Sequence, residues 1–260
     1  MDKLHIAECF GAAAAQYDKH AHVQQRILDW SLANLQKAQR ATTLIDLGSG
    51  TGSALPMLAP LADTVVAVDI AQPMLDYGQS RNQDITNIQY QCADFDDLIE
   101  VFEPNSVDRV FSSMALQWSS SPEQLLMNIS HILTLDGRAD LTILIAPSFA
   151  RLRQAWASIG RGHAVHSFAS LAQWQAAAAN AGLTCHSHCD VFIDEYPDFL
   201  SMLHSIKDVG ASTAVDGPDT ANTATLLTKR QLRDAQTAFS ALNQGQFSLD
   251  YHVVQLQLTR

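Results

Sequence analysis

Leu44-Ile45-Asp46-Leu47-Gly48-Ser49-Gly50-Thr51-Gly52 ends an apolar run in an acid and then bunches three glycines. Such a run predicts a short buried strand that breaks into a tight turn. The glycines fall one residue short of the G-x-G-x-x-G of dinucleotide sites, and no Lys-Ser/Thr follows as a P-loop requires. Asp46 at the strand end would repel a pyrophosphate, so the expected ligand carries positive charge at this point.

The pattern continues outward. TVVAVDI (64–70) reads as a second strand ending in Asp69, and NIQYQCADF (87–95) as a third ending near Asp94. Helical segments lie between them: SALPMLAPLA (53–62), limited by its prolines, and QPMLDYGQSRN (72–82), with proline in the first turn. VDRVFSSM (107–114), RADLTILIA (138–146) and LTCHSHCDVFIDEY (183–196) add three strands, separated by the helices PEQLLMNISHILTL (122–135) and SLAQWQAAAANAG (170–182). Alternating strands and helices imply right-handed crossovers and a parallel sheet. Before these elements, residues 12–35 read as one or two helices. After them, residues 195–245 read mostly as helices around a polar loop, DGPDTANTA (216–224). FSLDYHVVQLQLTR (247–260) reads as a final strand. The helical insertion precedes that strand and belongs above the carboxyl edge of the sheet, where open α/β sheets bind ligands.

S-Adenosylmethionine matches the ligand the acids ask for: it has an ammonium and a sulfonium and no phosphate. Asp46, Gly48, Ser49, Gly50 and Gly52 would take its methionyl part, since glycine lets the backbone approach closely. Asp69 would accept the ribose hydroxyls. Asp94 would accept from the adenine amino group, with Phe95 against the ring and Ile70, Met74 and Leu75 near the adenosine.

The 260 residues suit one α/β domain with an insertion. A net charge of −11 argues against general nucleic-acid binding, which needs a basic face. There is no long uninterrupted apolar span for a membrane helix, and MDKLHIAECF lacks the apolar centre of a signal peptide, so the expected location is the cytoplasm. The four cysteines, Cys9, Cys92, Cys185 and Cys189, make no disulfide framework. CHSHC (185–189), with His163 and His166, invites a zinc reading, but on a strand the cysteines and histidines face opposite ways, and no metal is expected.

The glycine loop and the acids at three successive strand ends resemble class I S-adenosylmethionine-dependent methyltransferases over residues 40–146. That family has a Rossmann-like seven-stranded mixed sheet with helices on both faces and an antiparallel last strand. At the turn where the family usually reads L-K-P-G-G, this chain has Leu135-Asp136-Gly137-Arg138. The fourth strand leads into Ser112-Ser113-Met114-Ala115, without the N/D-P-P-Y/F that grips an amino group, and Ser112 is a further candidate for the cofactor site.

Ala115–Trp118 (ALQW) resembles the malonyl-[acyl-carrier protein] O-methyltransferases of biotin synthesis. Phe10, Ala14, Tyr17, Asp18 and Ala21 are similar to that family's F-x-x-A-A-x-x-Y-D-x-x-A helix. RLRQAW (151–156), SIKDVGAS (205–212) and LTKRQL (227–232) are similar to its later motifs. Where the family reads N-x-F or N-R-F, the chain has His166-Ser167-Phe168. The resemblance implies methyl transfer from S-adenosylmethionine to the free carboxylate of a malonyl-phosphopantetheine thioester on acyl carrier protein, leaving S-adenosylhomocysteine. The nucleophile is ionised at neutral pH, so no general base is required. Positioning and desolvation then carry the catalysis, roughly 7–11 kcal/mol together. The expected carboxylate partners are Arg151 and Lys207, ahead of Arg153 and Arg161, since arginine suits bidentate binding. Tyr17 would close over the methyl donor, Trp118 would wall the acyl channel, and Lys207, Lys229, Arg230 and Arg233 would offer a basic dock to an acidic carrier. Two other readings remain open here: a methyltransferase of a free small acid, similar to the trans-aconitate enzymes, and a non-catalytic module that binds the cofactor.

Overall fold

The computed structural model describes residues 3–36, 39–161, 165–211 and 228–260. The chain runs α1 (Lys3–Ala13), α2 (Tyr17–His20), α3 (His22–Ala33), β1 (Ala41–Leu47), α4 (Leu55–Leu58), β2 (Ala62–Asp69), α5 (Gln72–Arg81) and β3 (Ile88–Cys92). It continues through α6 (Leu98–Val101), β4 (Val107–Ser113), α7 (Pro122–Ile132), β5 (Leu133–Leu144), α8 (Ala150–Ser158), α9 (Leu171–Asn180) and β6 (Thr184–Tyr196). It ends with α10 (Phe199–Asp208), α11 (Lys229–Leu242) and β7 (Phe247–Thr259).

The seven strands form one sheet in the order β3-β2-β1-β4-β5-β7-β6. The first five are parallel, and β7 runs antiparallel between β5 and β6. The order reverses between β1 and β4, and a crevice opens there at the carboxyl ends of the strands. This is the expected Rossmann-like methyltransferase architecture. Each predicted strand is present, and the proline-rich segment shrinks to one helical turn at α4 followed by a 3₁₀ turn at Ala59–Leu61. One helix, α1, begins well before the stretch whose spacing predicts helix. Its mixed polar and apolar sequence buries only Ile6, so it shows little periodicity to read.

Local chemistry sets the helix ends near the crevice. Thr228 and Gln231 form a capping box at the start of α11, each side chain satisfying the other's backbone N–H. The LTKRQL segment is therefore a helix start; its Leu227, the polar loop 216–224, Ser212 and His163 lie outside the described residues. Asp198 caps α10 by accepting from the Ser201 N–H. Phe199, Phe239 and Phe247 pack their rings together and so tie α10, α11 and β7 into one body. Gly210, just after α10, has φ +74°, and a Cβ there would lie 2.9 Å from the Phe10 Cα of α1. The glycine of the KDVGA motif thus lets the insertion touch the N-terminal helix.

Candidate active site

Three adjoining cavities fill the crevice, and Tyr17 and Met114 line all three. The first lies against the glycine loop and is walled by Asp46, Gly48, Ser49, Gly50 and Thr51, with Gln24 and Ser113 opposite. The second adjoins it beside Asp69, Ile70, Met74 and Phe95. The third is apolar and runs beneath α10, among Trp118, Phe149, Phe168, Ile206 and Tyr251.

The glycine loop is shaped by its contacts. Gly48 has φ +68°, and a Cβ on it would come within 2.2 Å of the Ala115 Cβ, so only glycine fits between β1 and the end of β4. Gly50 donates its N–H to Asp69 Oδ2 at 2.9 Å, and the Ala71 N–H reaches Asp69 Oδ1 at the same distance. Two backbone donors therefore aim the Asp69 carboxylate. They oppose the upward push of burial on its pKa, which prevails.

Asp46 differs. It is buried, and its Oδ2 has no hydrogen-bond partner. Burial and the nearby Asp69 charge raise its pKa to about 8. Ser49 Oγ, Ser113 Oγ and Gln24 Oε1 are also buried without partners, and all of them wall the same cavity as Asp46. Buried polar groups are ordinarily paired, because an orphan costs about 1–3 kcal/mol. Four orphans around one cavity fit a polar ligand, and the carboxylate among them fits a cationic one.

Tyr17 is aimed by its neighbour. Asp18 accepts from Thr51 Oγ1 at 2.7 Å and from Arg81 Nη1 at 2.6 Å, which pins the short helix α2 to the glycine loop. The half-buried phenol of Tyr17 is held neutral, its pKa raised by desolvation and then by Asp69 and Asp18. Met114 and Phe149, both on the apolar cavity, take left-handed backbone conformations at φ +59° and +58°. Non-glycine residues rarely adopt that region, and such outliers cluster at functional sites.

A methyltransferase-domain family matches residues 45–139, spanning β1 to the start of β5. The malonyl-[acyl-carrier protein] O-methyltransferase of Salmonella typhimurium is 30% identical over 257 residues, covering 97% of this chain and 96% of that protein. The chain belongs to the malonyl-[acyl-carrier protein] O-methyltransferase family. It is an S-adenosylmethionine-dependent methyltransferase, which removes the reading as a non-catalytic module. The biotin biosynthesis bifunctional protein BioHC of Cellvibrio japonicus is 33% identical over 216 residues; the match covers 81% of this chain but only 41% of that longer protein. Among solved structures, the YcgJ protein from Bacillus shares the fold, with a TM-score of 0.66 at 16% identity over 91% of this chain and 98% of that one.

Within this family member, the expected cofactor residues Asp46, Gly48, Ser49, Gly50, Asp69, Ile70, Met74 and Phe95 all line the crevice, as does Tyr17. Six other candidates do not. Ser112 is fully buried and donates to the Leu47 carbonyl at 2.7 Å, bracing β4 on β1; its neighbour Ser113 is the one that faces the cavity. Gly52 is a packing glycine, whose Cβ would strike Leu55 and Asn82 at 2.8 Å. Leu75 is buried in α5 without reaching the cavity. Asp94 caps the 3₁₀ turn at Phe95–Asp97 through the Asp96 N–H and accepts from Lys3 Nζ at 3.1 Å.

Arg151 and Lys207 do not meet the apolar cavity. Arg151 pairs with Asp250 at 2.7 Å and is exposed, while Lys207 projects outward from the last turn of α10. Arg153, passed over in their favour, turns inward instead and donates to the Ser148 and His166 carbonyls. His166 stacks on Trp118 behind the cavity wall, and burial is the main cause that lowers its pKa. Trp118 does wall the cavity, as expected. Gln24, Met114, Phe149 and Tyr251 were not legible as site residues, because each comes from a different element and none sits in a local motif.

Among the described residues no group of three or more histidines, cysteines or acids is placed to hold a metal, and no helix is long and apolar enough to cross a membrane.

Proposed function

We propose that the chain methylates the free carboxylate of a malonyl thioester carried on the phosphopantetheine arm of acyl carrier protein, giving the malonyl methyl ester that starts pimeloyl synthesis for biotin in the cytoplasm. The whole chain acts as one domain, with the N-terminal helices α1–α3 and the insertion helix α10 lining the crevice. The observation that carries this reading is the junction at Tyr17 and Met114, where an acidic cavity rich in unpaired polar atoms meets an apolar one.

Asp46 suits the methionyl ammonium, and Ser49 with Gly48 and Gly50 suits the rest of that segment. Asp69 suits the ribose hydroxyls. Ile70, Met74 and Phe95 suit the adenine, and Asp94 stands at its edge. Bound there, S-adenosylmethionine supplies a methyl group on a positively charged sulfur, and transfer to a carboxylate cancels both charges. A dry, apolar cavity favours a reaction in which charge disappears. The apolar cavity is lined by no histidine or lysine among the described residues, and a nucleophile that is already ionised at neutral pH requires no base. Lys207, Lys229, Arg230 and Arg233 are exposed on α10 and α11 and suit an acidic carrier.

The test is methyl transfer from labelled S-adenosylmethionine with malonyl-carrier protein, malonyl-coenzyme A and free malonate offered in parallel. Preference for the carrier-bound acid is expected. Reaction with free acids alone would move the substrate to a small diffusible acid.

A further inference from the structure

The apolar cavity and the two beside it are lined by no arginine or lysine among the described residues. The charged side chains that do face the crevice include the acids Asp18, Asp46 and Asp69, and Arg81 is already taken up by Asp18 and Ser53. A substrate carboxylate therefore enters beside these acids with no lysine or arginine among the described residues to receive it.

Neutral donors stand where it would arrive. Tyr17 lines every cavity, and its hydroxyl has no hydrogen bond among the described residues. Gln24 lines both the glycine-loop cavity and the apolar one, and its buried Oε1 is unpartnered. An amide's oxygen and nitrogen exchange places by a half-turn, so Gln24 can present its NH₂ to an anion. Tyr251 lines the apolar cavity from β7 and interacts with Tyr196, whose hydroxyl donates to Asp194 at 2.6 Å. The Tyr196 proton is committed to Asp194, so the Tyr251 hydroxyl donates to the Tyr196 oxygen, and a carboxylate in the cavity would take over that donor as the stronger acceptor.

We propose that Tyr17, Gln24 and Tyr251 hold the acyl carboxylate as neutral hydrogen-bond donors, and that the positive charge attracting it comes from the bound methyl donor. This rests on the carboxyl-methylation reading above. A guanidinium in the cavity would stabilise the ionised ground state more than a transition state in which the charge is vanishing. Neutral donors fix the geometry without that penalty. The consequence is coupling: the acid binds well only when a cationic donor is in place, and the neutral methyl ester has no such dependence.

The experiment is calorimetric titration of malonyl-pantetheine and of its methyl ester into the full chain saturated with sinefungin, whose amine is charged, or with neutral S-adenosylhomocysteine. The acid is expected to bind at least about tenfold tighter to the sinefungin complex, and the ester equally to both. Tyr251→Phe and Gln24→Leu should each weaken acid binding about tenfold and leave the ester within about twofold. S-Adenosylhomocysteine affinity and melting temperature report whether each variant has folded. Equal acid binding in the two complexes overturns the proposal, as does an acid-to-ester ratio unchanged in both variants. So does loss of acid binding in Arg153→Gln alone. If the unmodified chain methylates no malonyl thioester, the carboxyl-methylation reading falls and the clamp with it. Turnover with unchanged binding ratios overturns the clamp alone.

Discussion

The two ends of the crevice are built on opposite principles. The glycine-loop end gathers Asp46, Asp69 and the orphaned Ser49 hydroxyl within a short span of sequence, at the tips of adjacent parallel strands. The acyl end draws Phe10, Met114, Phe149, Ile206 and Tyr251 from five separated stretches of chain and, among the described residues, is lined by no charged side chain. The first end stores unfavourable electrostatics that a cationic ligand relieves, and the second stores none. On the proposed function, recognition of the cofactor rests on charge, whereas recognition of the acyl group rests on shape and on a few neutral donors. Charge is exchanged between the two ends only when both ligands are present.

The sharpest way to break this contrast is Asp46→Asn. Removing the one carboxylate among the described residues with an unpaired buried oxygen should weaken S-adenosylmethionine binding by about 3 kcal/mol, more than a hundredfold. The same change removes repulsion from Asp69, so the ligand-free protein should melt no lower than before. Calorimetry and a thermal melt read the two effects, and unchanged cofactor affinity would remove Asp46 from the site. Gly48→Ala acts on the backbone of the same end. With φ +68° and a contact at 2.2 Å, it should lower stability by about 3 kcal/mol, seen in a denaturant melt.

A pH series probes the stored charge directly. Asp46 titrates at about 8 in the folded, ligand-free protein, against about 4 in an unfolded chain. Over that window the native state binds the extra proton, so this group's contribution to stability is full below about pH 4 and is lost as pH rises through about 8. A bound ammonium restores the carboxylate, so cofactor binding should release a proton below pH 8 and tighten as pH rises toward it. Titrations at pH 7 in buffers of different ionisation enthalpy measure the proton count. No proton release would mean that Asp46 is already ionised, and the slope should vanish in Asp46→Asn.

Asp18→Asn tests the bracket between the two ends. Its hydrogen bonds to Thr51 and Arg81 hold α2, and Arg81 and Asp18 are partly exposed, so the loss should be about 1 kcal/mol. Since α2 carries Tyr17, turnover should fall more than cofactor affinity does. The smallest effect belongs to Arg151→Gln. Its pairing with Asp250 is solvent-exposed, and stability and turnover on a small malonyl thioester should both stay within about twofold. A large loss there would return a cation to the acyl end and erase the contrast.

Much of the first end was readable from residues alone, because a strand, a glycine turn and an acid at the next strand tip are short-range patterns. Asp46, Gly48, Gly50 and Asp69 follow from such patterns. Even here the local pattern did not separate the lining positions from three neighbours of the same text. Ser112 and Ser113 are neighbours of the same type, and only the registry of β4 on β1 turns one to the Leu47 carbonyl and the other to the cavity. Gly52 and Asp94 belong to the same text as the true lining residues, but the first serves helix packing and the second a turn.

The acyl end lay beyond that kind of reading. Arg151 and Lys207 were chosen for charge, and the structure turns both outward, because a long cationic side chain on an amphipathic helix reaches water unless a buried partner holds it. Sequence by itself determined the strands of the sheet and the cationic character expected of the ligand at Asp46, since these depend on periodicity and on charge at strand tips. The tertiary structure decided which side chains line the apolar cavity. Antiparallel pairing of β7 brings Tyr251 beside elements more than a hundred residues away, and no local spacing encodes that meeting.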